Sequence, residues 1–140
     1  MRFFVDEDLD GDAFVNPLLE AGVDLLRHRE SFSKGVADVA WIPVIAEQGL
    51  IVPSANTGMR LKPLKVAAIK NAGARVLYLR QTRTTTHPQL AALLMRSMRR
   101  VERFFSPGVR PRVGMLERRS HGSDPLGLAP GRIEVPSAFR

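Results

Sequence analysis

The chain has 140 residues and a net charge of +7, long enough for one domain with a substantial core. It contains no cysteine, which excludes disulfides, thiolate metal sites and a cysteine nucleophile. No stretch approaches the roughly 18 consecutive apolar residues of a membrane span, and the opening segment lacks the long apolar run of a signal peptide, so no membrane attachment and a cytoplasmic location are expected.

The predicted elements alternate strand and helix. Arg2–Asp6 reads as a first strand, because Phe3-Phe4-Val5 is a continuous apolar run of the kind that parallel sheets bury. Residues 13–21 form a first helix, with Asp12 as candidate N-cap and Gly22 as its stop. Pro17 implies either a start near Asn16-Pro17 or a kink. Residues 23–27 form a second strand and residues 29–36 a polar loop. Asp38 opens a second helix reaching Gln48, with Gly49 as its stop, and Leu50–Val52 is a short third strand. Residues 53–61 read as a loop. Pro63 suits the first position of a third helix that runs to Ala72. Arg75–Leu79 is a fourth strand, and Pro88–Phe105 reads as one long helix carrying Leu90, Leu93, Leu94, Met98 and Val101.

Strands separated by helices of this length predict an α/β fold, a three-layer α/β/α sandwich around a central, mostly parallel sheet. The domain is expected to span residues 1–105. Residues 106–140 are rich in Pro, Gly and Arg and weakly periodic, and they are predicted to be an extended or disordered tail with at most a short ordered piece near Met115–Arg119.

The charge is unevenly spread. Residues 1–60 carry a net −5 and residues 61–140 a net +12. An acidic pocket beside a basic surface suits a protein that holds a cation and a polyanion together. The acids Asp6, Glu7 and Asp8 follow the first strand directly, and ligands of open α/β sheets bind at the carboxyl ends of strands. With strand order 2-1-3, Asp6, Asp38 and the loop Ser54-Ala55-Asn56 converge on one rim. Two carboxylates and a third oxygen suit Mg²⁺ or Mn²⁺. Arg60, Lys62 and Lys65 follow that loop and are the candidate contacts to the phosphate backbone of a nucleic acid. Arg96, Arg99, Arg100 and Arg103 form a basic stripe that is most simply a solvated face. Taken singly, Asp38 reads as an N-cap, Asn56 as a turn residue and Trp41 as core, and the three histidines have no metal-site spacing.

Read together, several stretches resemble PIN-like domains of the VapC-type toxin class. These are Phe3-Phe4-Val5-Asp6-Glu7-Asp8-Leu9, Ala21-Gly22-Val23-Asp24-Leu25, Asp38-Val39-Ala40-Trp41-Ile42-Pro43, and the strand and loop Gly49–Asn56. The resemblance covers about residues 1–105. It implies a metal-dependent endoribonuclease with Mg²⁺ or Mn²⁺ held by Asp6 and Asp38, the toxin half of a toxin–antitoxin pair. It also implies a cognate antitoxin as partner and a homodimer. Asn56 stands where the family has a third Asp, and Val39 where an acid is frequent. An amide oxygen ligates a cation without supplying charge. Three readings stay open: a weak nuclease assisted by Asn56, one recruiting Glu7 or Asp8, and a degenerate relative that binds RNA or a partner. A phosphoacceptor receiver domain would need an acid at the end of the third strand, where Val52-Pro53-Ser54-Ala55-Asn56 has none.

Overall fold

A computed structural model describes residues 1–56, 62–106 and 108–140; Arg60 lies outside the described residues, and of Asn56 only the backbone is described. A six-stranded sheet runs in the order β2-β1-β3-β4-β5-β6. Its strands are β1 (Phe3–Val5), β2 (Leu25–Arg27), β3 (Ile51–Asn56), β4 (Arg75–Arg80), β5 (Arg112–Glu117) and β6 (Arg132–Glu134). The first five are parallel, and β6 runs antiparallel to β5. The helices are α1 (Asp12–Glu20), α2 (His28–Ser31), α3 (Asp38–Glu47), α4 (Pro63–Ala72), α5 (His87–Arg96) and α6 (Met98–Phe105).

Strand side chains alternate between two faces, and each face builds its own core. Phe3, Val5, Ile51, Leu77 and Leu79 pack with Phe14, Leu18, Leu90, Leu94 and Val101 of α1, α5 and α6. Phe4, Val52, Val76 and Tyr78 pack with Trp41, Ile42, Ile45 and Ile69 of α3 and α4. The result is the three-layer α/β/α sandwich that the strand–helix alternation predicts.

Several boundaries differ from expectation, the second strand among them, which starts at Leu25 rather than at residue 23. Gly11 rather than Asp12 is the N-cap of α1, and Pro17 lies inside that helix. The loop expected at 29–36 begins instead with the single turn α2, where the Glu30 carboxylate accepts the Arg27 N–H at 3.1 Å. β3 extends through Pro53 to Asn56 rather than stopping at Val52. The Pro53 carbonyl accepts the Asp6 N–H at 3.3 Å, so the position lacking an N–H faces the side where β1 has already ended, and the pairing with β4 continues. The long helix expected over 88–105 breaks at Ser97, whose buried hydroxyl accepts the Gly131 N–H at 2.8 Å.

Gly131 belongs to the region expected to be an irregular tail. That segment does not trail away: β5 completes the parallel sheet beside β4, and β6 covers its outer edge. Val113 and Leu116 are buried, one in each core. Gly114 admits close packing here, since a Cβ at this position would meet Ile133 Cγ2 at 2.8 Å and Phe104 Cε1 at 2.9 Å. No described helix is long and apolar enough to cross a membrane.

Candidate functional site

Asp6 directly follows β1 and is 5% exposed. Its Oδ1 accepts the Glu7 N–H at 2.7 Å and caps the 3-10 turn Glu7–Leu9. Its Oδ2 accepts the Ser54 hydroxyl at 2.9 Å and the Lys65 ammonium at 2.7 Å. Lys65 also donates to Ser54 Oγ at 3.2 Å, and its Nζ lies 6.0 Å from the centre of the Trp41 ring and 5.8 Å from that of Tyr78. Asp8 Oδ2 accepts the Ala55 N–H at 3.2 Å and lies 3.4 Å from Ser54 Oγ. Asp38 occupies the first turn of α3 behind Ala37, the N-cap, and its Oδ1 accepts the Trp41 indole N–H at 3.1 Å.

The electrostatics follow from this crowding. Burial works against the charge of Lys65, yet Asp6 foremost, and Asp38 more weakly, raise its pKa above the ordinary lysine value. The Asp8 carboxyl is pushed up to about 7 by burial of its inner side and by Asp6, against the opposing effects of Lys65, Ala55 and Ser54. The outer surface of Asp8 is open to water, which moderates these effects. Burial likewise pushes the Tyr78 hydroxyl up to about 12, with Lys65 opposing and Asp6, Asp38 and Asp8 adding to the rise.

Asp6, Ser54 and Asp38, three positions that the sequence reading sets on one rim, thus surround Lys65 together with Asp8, Trp41 and Tyr78. Lys65 turns inward to Asp6 rather than outward. Its inward face is legible in helical spacing, since Lys65 precedes the buried Ala68 and Ile69 by three and four positions. Lys62 stays exposed at the N-cap of α4. The other acids of the N-terminal segment hold the fold: Glu7 accepts the Gly35 N–H at 2.9 Å, and Asp10 pairs with Arg27 Nε at 2.7 Å.

The donors as arranged do not fit a divalent cation. Among the described residues no three His, Cys, Asp or Glu side chains converge as a metal-holding group. Both oxygens of Asp6 are engaged, one of them by an ammonium, and one oxygen of Asp38 is held by an indole. Lys65 supplies the positive charge that clustered carboxylates require.

Comparison with protein families matches residues 1–81 to the family described as PIN like domain. The match covers more than half of the chain and spans β1 to β4, Asp6, Asp38 and Lys65 included, and the chain belongs to the PIN-like domain family. No curated protein and no solved structure matches it.

Proposed function

We propose that this PIN-like domain binds RNA, and that Lys65 holds its acidic pocket in a state closed to metal-dependent cleavage. The observation that carries this reading is the Lys65 ammonium, 2.7 Å from Asp6 Oδ2 and 3.2 Å from Ser54 Oγ. An ammonium neutralises clustered carboxylates but has no open coordination position from which to acidify a water molecule. The net +12 of residues 61–140 supports RNA as the ligand. Lys62 and Arg60 remain the contacts nearest the pocket in sequence.

The test is purified protein with a mixed RNA pool in Mg²⁺, Mn²⁺ or EDTA, read for binding and for cleavage beside an Asp6→Asn variant. The expected result is binding that survives EDTA and no metal-dependent cleavage. Cleavage that needs Mg²⁺ or Mn²⁺ and vanishes in Asp6→Asn would overturn it.

One observation favours a second reading, a metal-dependent endoribonuclease of the VapC type. Asp6, Asp8 and Asp38 set three carboxylates near one ammonium, a surplus of negative charge, and Asp6 adds to the rise in the Asp8 pKa that burial causes first. A Mg²⁺ or Mn²⁺ ion would relieve that surplus only after Lys65 left Asp6. The cognate antitoxin and the pairing of two copies belong to this second reading and rest on the resemblance to VapC-type toxins.

A further inference from the structure

A second feature lies on the same rim of the sheet, outside the acidic pocket. A cavity of about 730 Å³ opens beyond the carboxyl ends of β4 and β5, against α5. Arg80, Arg96, Arg118 and Arg119 line it, with Thr85 and Gln89 among its polar groups and Leu90 and Leu93 among its apolar ones. Its volume lies within the range of small-ligand sites, which combine apolar walls with a few placed polar groups.

Three of these arginines are held by backbone carbonyls. Arg96 Nε donates to the Ala129 carbonyl at 2.8 Å, Arg118 Nη2 to the Asp124 carbonyl at 3.0 Å, and Arg119 Nε to the Pro130 carbonyl at 3.3 Å. Neutral carbonyls orient a guanidinium and leave its charge in place. Glu117 pairs with Arg80 at 3.0 Å and with Arg132 at 3.5 Å, and the buried Asp124 lies near Arg96 and Arg118. Burial holds the Arg96 guanidinium below its ordinary range, with Asp124 opposing and the like charge of Arg118 adding to the effect. Four cavity arginines set against these two carboxylates leave an excess of positive charge, which an entering anion would offset.

We propose that this cavity is a second RNA site, taking a backbone phosphate and its attached nucleotide from a strand that also passes the acidic pocket. The proposal rests on the RNA-binding reading above. Placement favours RNA: Asn56 at the end of β3 is in register with Arg80 at the end of β4, and β5 is the next strand. The distance from the end of β3 to that of β5 is two strand spacings, about 10 Å. Most of the residues that build the cavity lie beyond residue 81, outside the segment matched to the PIN-like family.

The test adds negative charge while sparing the arginines. Gln89 lies at the third position of α5, where its side chain accepts the Thr86 N–H at 2.8 Å, a bond that Gln89→Glu retains. Ala92 is an exposed helical residue lining the same cavity. Binding of a short fluorescein-labelled single-stranded RNA is measured by anisotropy across a salt series, for the full chain and for the Gln89→Glu/Ala92→Glu double variant. The expected result is a Kd raised at least about tenfold and a shallower salt dependence, with an unchanged melting temperature. Competition by adenosine monophosphate against the wild-type chain, absent in the double variant, would support the same site. Equal RNA binding by both chains would overturn this inference and leave the RNA-binding reading standing. No RNA binding by the wild-type chain at low salt would overturn both.

Discussion

Lys65 and Asp6 stand 59 positions apart in the chain and 2.7 Å apart in space. The pair is largely enclosed, with side-chain exposures of 14% and 7%. A carboxylate so enclosed needs a partner, and Lys65 provides one from the first turn of α4.

Lys65→Met removes the ammonium and keeps much of the stem's volume. The expected loss of stability is roughly 2–3 kcal/mol, because Asp6 is left buried and uncompensated. A thermal melt measures it. Repeating the melt with Mn²⁺ asks whether a cation takes the vacated position: recovery of the melting temperature with Mn²⁺ and not with EDTA would mean that Lys65 alone closes the pocket. No recovery would mean that Asp6, Asp8 and Asp38 are insufficient as ligands even when Lys65 is gone.

Ser54→Ala removes the hydroxyl that donates to Asp6 and accepts from Lys65. The Asp6–Lys65 contact survives, so the expected cost is about 1–2 kcal/mol, read from the midpoint of a denaturant titration. A change below a few tenths of a kcal/mol would show that the direct ion pair carries the site without the serine.

Asp8 makes stability depend on pH in a defined direction. Its folded pKa of about 7 lies above the ordinary carboxylate value of about 4, so the folded chain binds more protons than the unfolded chain between those limits. Stability is therefore expected to fall as pH rises from about 4 to about 7, by a modest amount because Asp8 is partly open to water. In Asp8→Asn that part of the dependence should vanish, which parallel denaturant titrations across the window would show.

The chain after Phe105 is expected to be needed for folding. Truncation there removes β5 and leaves β4, with Val76, Leu77, Tyr78 and Leu79 all buried in the intact chain, as an open edge. Size-exclusion chromatography of the truncated chain should show aggregation rather than a compact monomer. Gly114→Ala probes the same region gently: its Cβ would press on Ile133 and Phe104, and a loss of about 1–3 kcal/mol is expected.

Much of this architecture was legible in the residues. The run Phe3-Phe4-Val5 before Asp6, the proline opening α4 and the apolar spacing of α5 each reflect a local periodicity or a local backbone constraint. The family resemblance lay in the same short stretches. Asp6 at a strand end and Asp38 at a helix start were visible for that reason. Of the strand 112–117 only a short ordered piece near Met115–Arg119 was visible, because Arg112-Val113-Gly114-Met115-Leu116-Glu117 is short, interrupted by glycine and flanked by arginines. It is a strand because β4 presents an unpaired edge with cores on both faces, a condition set by the rest of the sheet.

The sequence by itself determined the layered α/β plan, the carboxylates at the rim and the basic character of the second half, since periodicity, charge and chain order are properties of neighbours along the chain. Only the tertiary structure decided that Lys65 faces Asp6, that Glu7 and Asp10 support the fold while Asp8 joins the pocket, and that Arg80, Arg96 and the adjacent Arg118 and Arg119 line one cavity. Those outcomes depend on distance and desolvation between groups tens of residues apart, which are settled when the sheet and its helices close around them.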